Sequence, residues 1–363
     1  MNSKAFLLPA ALMIAGNSVA NSKGKKTDKR PNILVILADD LGYSDLGCYG
    51  SEIHTPNLDK LAQQGVRFNH FYNASRSCPT RASLLTGLYQ HQAGIGRMTF
   101  DDNLPGYRGT LSRNAVTIAE VLKESGYTTS MIGKWHVAET PLRKDQREWL
   151  AHHVYHDTYS DLCHYPVNRG FDSHYGTIYG VVDYFDPFSL VEGEVPVKEV
   201  PEGYYITQAL SDRAAEEVTE YAKDDKPFFM YLAYTAPHWP LHALPEDIEK
   251  YKDTYKVGWE AIRNARYERQ KQLGVFPGMD NFLSERQFHD KWEDNPHAEW
   301  DARAMAVHAA MIDRMDQGIG QVIDALEKTG QLDNTLILFL SDNGCSNENC
   351  QNYSPGENDR PDM

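Results

Sequence analysis

The chain reads as an α/β protein with a mostly parallel central sheet sandwiched by helices. Four short apolar runs that each end abruptly in polar residues, and helix signals lying between them, predict this class. The first run, Asn32-Ile-Leu-Val-Ile-Leu-Ala38, is continuous in Val, Ile and Leu, as a strand covered on both faces should be, and it ends in Asp39-Asp40. Thr55-Pro56-Asn57 then sets an N-cap and an N1 proline ahead of Leu58 and Leu61, with Gly65 as the stop. Residues 115–125 read as the next helix, followed by a shorter strand, 128–132, that runs into Gly133-Lys134-Trp135-His136. Residues 206–222 are helical, and 227–235 form a Phe/Met/Tyr-rich strand before Ala236-Pro237-His238. Residues 302–328 carry apolar side chains near helical spacing and stop before Gly330. The last strand, 335–340, ends in Ser341-Asp342-Asn343-Gly344 and repeats the design of the first. Ligands bind beyond the carboxyl ends of such strands, so all four polar clusters are expected at one edge. Two aromatic, irregular stretches, about 141–203 and 252–300, read as insertions, equally suited to shaping a pocket rim and to padding the surface.

With 41% hydrophobic and 24% charged residues, the 363-residue chain has the apolar material for one large domain, which excludes wholesale disorder. Its 36 basic against 51 acidic residues leave a net charge of −15, with no basic stripe after Arg30, so nucleic acid is not an expected partner. An apolar stretch from Ala5 to Ile14 behind Lys4, then Ser18-Val19-Ala20, predicts a signal peptide over residues 1–20 and a basic, polar leader over 21–30. Roughly ten apolar residues fall short of the ~20 that span a bilayer. An exported protein, periplasmic or secreted and without stable membrane insertion, follows. The five cysteines, Cys48, Cys78, Cys163, Cys345 and Cys350, are odd in number for an oxidising compartment, so at least one stays unpaired. Cys345 and Cys350 are spaced for a local bridge, and no zinc-type spacing is present.

The most specific pattern is Ser77-Cys78-Pro79-Thr80-Arg81-Ala82-Ser83-Leu84-Leu85-Thr86-Gly87. Cys-x-Pro-x-Arg followed by Leu-Thr-Gly resembles the signature of the type I, formylglycine-dependent sulfatases of the alkaline phosphatase superfamily. The resemblance implies that Cys78 is oxidised to formylglycine by a sulfatase-maturing enzyme, and that the hydrate of this aldehyde is the nucleophile. Pro79 suits N1 of a helix running to about residue 89, which puts residue 78 at the helix's positive end, where oxyanions are favoured. A thiol reserved for modification also accounts for the odd cysteine. Arg81, three residues on, shares its helix face and is expected to hold the hydrate.

Asp39, Asp40, Asp342 and Asn343 offer oxygen ligands from two strand ends, which selects a hard divalent ion, Ca2+ or Mg2+, over zinc or copper. The resemblance implies calcium, with modified residue 78 and the substrate sulfate completing the shell. Gly-Lys-Trp-His and Ala-Pro-His-Trp-Pro are similar to further family motifs. By that likeness Lys134 clamps a sulfate oxygen, His136 takes the proton that lets the hemiacetal collapse, and His238 protonates the departing alcohol. The expected activity is hydrolysis of an aryl or carbohydrate sulfate ester. The alternatives are a phosphonate monoester or phosphodiester hydrolase of the same superfamily and a non-catalytic remnant. Tyr204-Tyr205-Ile206-Thr207 and Gly258-Trp259-Glu260 with Arg263 and Arg266-Tyr267 resemble the arylsulfatase-like branch.

The resemblance covers residues 31–363 and departs at the end. Its family pattern continues past Asp-Asn-Gly into a second active-site lysine, Glu-Gly-Gly and a smaller domain with an antiparallel sheet. Here the sequence closes on Asp362-Met363 in a polar loop, so the expectation is a catalytic domain lacking the C-terminal subdomain, with an exposed sheet edge. His152, His153, His156, Cys163 and His164 have the residue types of a metal cluster, but irregular spacing favours packing and surface roles. Asp183-Tyr184-Phe185 is balanced between touching substrate and packing.

Overall fold

A computed structural model describes residues 30–139, 158–278, 283–284 and 291–346. The expected signal peptide and leader lie outside the described residues. Seven strands form one sheet: β1 (Asn32–Ala38), β2 (Thr128–Gly133), β3 (Ser173–Thr177), β4 (Leu190–Glu192), β5 (Val195–Pro196), β6 (Phe228–Ala233) and β7 (Thr335–Ser341), in the order β5-β4-β3-β2-β6-β1-β7. The five from β3 to β7 along that order run parallel, and β4 and β5 add an antiparallel margin. The helices are α1 (Pro56–Gln64), α2 (Ser77–Thr86), α3 (Ile118–Glu124), α4 (Ile206–Tyr221), α5 (Pro245–Glu249), α6 (Trp259–Gln272) and α7 (Ala298–Lys328).

Alternation along the central strands builds two cores, one on each face. Leu34, Ile36, Met230 and Leu232 point toward α4 and α7, where Leu210, Ala214, Met315, Ile319 and Val322 meet them. Val35, Leu37, Phe229 and Tyr231 point the other way, onto Cys78, Ala82 and Leu85 of α2 and Ala119 of α3. Each fully buried aliphatic side chain contributes about 1.5–3 kcal/mol, so the continuous apolar runs are what hold the sheet between its helix layers. On β7, which lies at one edge of the sheet among the described residues, Leu336 is 50% and Leu338 44% exposed.

Several boundaries differ from expectation for local physical reasons. Residues 115–117 are not helical, because α3 starts from a capping box: Thr117 Oγ1 accepts from Glu120 N–H (3.1 Å) and Glu120 Oε2 accepts from Thr117 N–H (2.7 Å). Thr55 does not cap α1 with its side chain. The Asp316 carboxylate of α7 does so instead, accepting from the Asn57 and Leu58 N–H groups at 3.1 and 2.8 Å. α2 begins at Ser77 and ends at Thr86, so Pro79 is its third residue and Cys78 sits inside the first turn. The stretch read as the first insertion contributes β3, β4 and β5 to the sheet, and the second contains α6.

Gly133 closes β2 with φ +107°, and a Cβ there would lie 1.8 Å from the Ala233 carbonyl oxygen of β6. Only glycine lets the two strands stay paired as the chain turns toward Lys134. Gly133→Ala is expected to cost about 3 kcal/mol or more in urea unfolding, the range of severe backbone and packing defects. Gly193→Ala, at φ +62° with nothing within 4 Å, carries conformational strain alone and is expected to cost about 1 kcal/mol. Equal losses for the two variants would refute the close-approach argument.

Candidate active site

Strand register brings the polar clusters together. Ala38 of β1 lies opposite Ser341 of β7, and Asp342 N–H donates to the Ala38 carbonyl at 3.1 Å, so Asp39 and Asp342 leave the sheet side by side. Asp39 N–H reaches the Ala236 carbonyl beyond β6 (3.0 Å), and Lys134 N–H the Ala233 carbonyl (2.8 Å). These bonds deliver the ends of β1, β2, β6 and β7 to one place.

Arg81 is the hub. Fully buried on α2, it donates through Nε and Nη2 to Asp342 Oδ2 (3.0 and 2.8 Å), through Nη1 to the Lys134 carbonyl (2.7 Å), and through Nε to Ser77 Oγ (3.0 Å). Lys134 Nζ pairs with Asp39 Oδ2, which lies 3.7 Å from Arg81 Nη2. Asp39 Oδ1 is buried with no hydrogen-bond partner among the described residues. Asp40 N–H donates to Asp342 Oδ1 (3.3 Å), and the Asn343 amide donates to Asp40 Oδ1. His238 Nε2 stands 3.6 Å from Asp40 Oδ2, and His136 Nδ1 3.3 Å from Ser77 Oγ. Cys78 Sγ is buried 3.9 Å from Met98 Sδ. Asp40 (φ +61°) and His136 (φ +54°) adopt the left-handed region, the kind of local strain that collects at functional sites. All the residues singled out from the sequence, Asp39, Asp40, Cys78, Arg81, Lys134, His136, His238, Asp342 and Asn343, therefore belong to one contiguous cluster.

The three carboxylates differ in proton affinity. Burial, reinforced by Asp342, drives the Asp39 carboxyl well above its ordinary range despite Lys134 and Arg81, and burial also raises Asp40. At Asp342 burial pushes upward too, but Arg81 and Lys134 outweigh it and hold the group below its ordinary value. His136 is driven well below the usual imidazole range by burial and then by Lys134 and Arg81, which keeps it neutral at pH 7. Burial pushes the Cys78 thiol up to about 12, so the unmodified side chain supplies no thiolate at neutral pH.

A divalent cation fits here. Asp39 offers an orphaned oxygen, burial raises the proton affinity of both Asp39 and Asp40, and one ligand atom each from Asp39, Asp40 and His238 lie within 4.8 Å of one another. The Asn343 amide turns its nitrogen, not its oxygen, toward Asp40.

One role escaped the sequence reading. Ser77 links Arg81 to His136, and a serine beside a cysteine carries no signal of that role. Tyr184 is buried and donates to the Thr235 and His238 carbonyls at 2.7 and 2.8 Å, fixing the segment that carries His238. Within Asp183-Tyr184-Phe185, then, Tyr184 packs, Asp183 faces His242 Nδ1 at 3.3 Å, and Phe185 stays 37% exposed. Arg266 is tied to Glu52 and Asp45, and Arg263 to Ser284. Cys163 and His164 gather with Asp161, while His152, His153 and His156 lie outside the described residues.

Sheet order and flanking helices define an alkaline phosphatase-like α/β protein with a charged cluster at its strand ends. Within that class the Sulfatase family model matches residues 31–361, so the chain belongs to the sulfatase family. An uncharacterised sulfatase of Schizosaccharomyces pombe is 36% identical over 344 residues, covering 87% of this chain and 58% of that protein. The arylsulfatase of Klebsiella aerogenes is 34% identical over 353 residues, covering 95% and 72%. The crystal structure of Ps i-CgsB in complex with k-i-k-neocarrahexaose matches with a TM-score of 0.58 at 32% identity, over 86% of this chain and 58% of that one. The chain thus spans 58% of the length of the first and third of these relatives.

Removing the Asp342 carboxylate would leave the Arg81 guanidinium buried without the oxygen that accepts from both its Nε and Nη2. Asp342→Asn is expected to lower unfolding free energy by about 3–5 kcal/mol, the cost of breaking a buried pair by removing one member. A loss under about 1 kcal/mol in urea titrations, the level of an exposed pair, would show that the pair does not hold these elements together.

Proposed function

We propose that this chain carries the catalytic centre of a sulfate ester hydrolase acting on aryl or carbohydrate sulfates, and that residue 78 is its nucleophile after conversion to formylglycine. The observation that carries this reading is the seating of Cys78 in the first turn of α2, beside Arg81 and Lys134, against carboxylates from both β1 and β7. Family membership supports the reaction class, and the arylsulfatase relative and the structure in complex with k-i-k-neocarrahexaose support the substrate range.

Asp39, Asp40, Asp342 and Asn343 are the residues to hold Ca2+, or Mg2+ in its place, as their all-oxygen chemistry favours. When present, the formylglycine hydrate supplies a hydroxyl nucleophile and the ion supplies Lewis-acid polarisation of the sulfate oxygens. The chain's own groups do the remainder. Lys134 and Arg81 bring positive charge to the sulfate oxygens and orient the group for in-line attack. His238 Nε2 donates a proton to the leaving alcohol oxygen. His136, neutral because burial and the two cations depress its pKa, accepts the proton whose removal lets the sulfated residue release sulfate. Ser77, bonded to both Arg81 and His136, keeps that base in place.

Export into the periplasm or medium is part of the same proposal and is supported by the residue 1–20 pattern, as is a maturing enzyme that oxidises residue 78. Among the described residues no helix is long and apolar enough to cross a membrane.

Peptide mass spectrometry of protein from its native host is expected to find an aldehyde at residue 78, and purified protein to hydrolyse an aryl sulfate faster than the matched phosphate ester. An unmodified thiol removes the proposed nucleophile. Faster phosphate cleavage makes the chain a phosphoester hydrolase, and a fully modified, cooperatively folding chain without turnover is a binding remnant. His238→Ala is expected to slow hydrolysis of a sulfated sugar about 10²–10⁴-fold, the usual worth of a positioned acid, while a nitrophenyl sulfate, whose phenolate leaves unprotonated, loses far less. Equal losses on both substrates would remove His238 from the acid role.

A further inference from the structure

We propose that Asp45, His308 and Cys345 form a second metal site, for a thiophilic divalent ion of the zinc type, separate from the oxygen-lined cluster around Asp39. Three remote segments supply it: the loop after β1, the middle of α7 and the chain just past β7. One carboxylate oxygen, one imidazole nitrogen and the thiol sulfur lie within 4.8 Å of one another. In tetrahedral zinc, with bonds of about 2.0–2.3 Å, ligand atoms sit roughly 3.2–3.8 Å apart, so modest side-chain rotation closes the set.

Independent observations lift this above proximity. The His308 ring makes no hydrogen bond among the described residues, and its Nδ1 is buried without a partner. A desolvated, unpaired polar atom is costly, and a coordinated ion relieves it. Asp45 is already oriented as ligating carboxylates are: Oδ1 accepts from Arg266 Nη1 (2.5 Å) and Oδ2 from Gly42 N–H (2.9 Å), each oxygen keeping a lone pair. The Arg266 charge is shared with Glu52 through two further bonds of 2.8 and 2.7 Å, so it does not stand alone against an incoming cation. Gly42 makes the room. A Cβ there would lie 2.4 Å from Asp45 Oδ2 and 3.1 Å from Cys345 Cβ. The Cys345 thiol donates to the Ser346 carbonyl at 3.7 Å, a weak bond for a metal to replace.

Donor chemistry separates the two sites. Nitrogen, sulfur and one oxygen select a zinc-type ion, whereas Asp39, Asp40, Asp342 and Asn343 present oxygen only. Three protein ligands leave a fourth position for water. On binding, the sulfur–metal bond forms as the thiol proton passes to solvent. The bound ion would tie the loop after β1, α7 and the segment after Asn343 into one brace beside the Asp39 cluster.

The test uses the reduced, chelator-treated full chain saturated with Ca2+ and titrated with Co2+. One equivalent is expected to give the near-ultraviolet thiolate-to-cobalt charge-transfer band, which Zn2+ then displaces. Cys345→Ser should abolish the band and His308→Phe weaken Co2+ binding at least tenfold, with far-ultraviolet circular dichroism unchanged. In the unaltered chain Zn2+ should also protect Cys345 from alkylation by iodoacetamide, a readout that does not depend on any variant folding. Absence of the band, its survival in Cys345→Ser, unprotected alkylation, or a Cys345–Cys350 disulfide in the native protein would each overturn the site.

Discussion

The pairing of β1 with β7 is the constraint on which everything at the strand ends depends. These strands are far apart in sequence yet are parallel neighbours, with Ala38 opposite Ser341, so the carboxylates that follow leave the sheet next to each other. Like charges in an apolar setting repel strongly: at 4 Å and an effective dielectric of 20 the interaction is about 4 kcal/mol. The arrangement persists because α2 inserts Arg81 between them and Lys134 arrives from β2. Sheet register and charge compensation are thus one problem. A shift in either strand would strand a buried charge, which links the integrity of the fold to that of the centre it carries.

Compensation is unequal, and the inequality is useful. Arg81 gives Asp342 two charge-assisted hydrogen bonds, which make it a permanent anion. Asp39 receives Lys134 on one oxygen and nothing on the other, and Asp40 receives an amide. The same residue type is therefore partitioned into a structural anion, Asp342, and two carboxyls, Asp39 and Asp40, whose proton affinity burial raises. The cluster holds two fixed positive charges against three carboxyls, and a divalent ion would turn it net positive, the sign needed to gather a sulfate.

Much of this was legible because the chemistry sits where secondary structure ends. Runs such as 32–38 and 335–341 are apolar enough to read as strands, buried in the first case and half-exposed at the sheet edge in the second, and the polar residues that stop them are automatically at the carboxyl edge. The Cys78 motif stood out by its own composition. What could not be read depends on partners remote in sequence. Asp316 caps α1 across 258 residues, and nothing near Thr55 announces that its own hydroxyl is engaged elsewhere. Residues 173–177 have Ser, His and Gly in place of a β-branched run, so pairing with β2 on one side and β4 on the other makes them a strand. Tyr184 was ambiguous for the same reason: its two acceptors lie about fifty residues downstream.

These long-range ties also divide the labour within the site. The charged centre rests on strand termini and on α2, elements whose positions are set by two apolar cores. His238 depends instead on the segment after β6, and that segment is clamped by Tyr184 from the excursion between β3 and β4, where Gly180 packs directly against the His136 ring. Both imidazoles are thus held from the side that faces the rim, while the carboxylates are held from the sheet. Residues on such excursions tolerate change that strand ends do not. Phe185 and Asp183 can therefore vary while Arg81, Lys134 and the carboxylates keep a geometry that the cores impose.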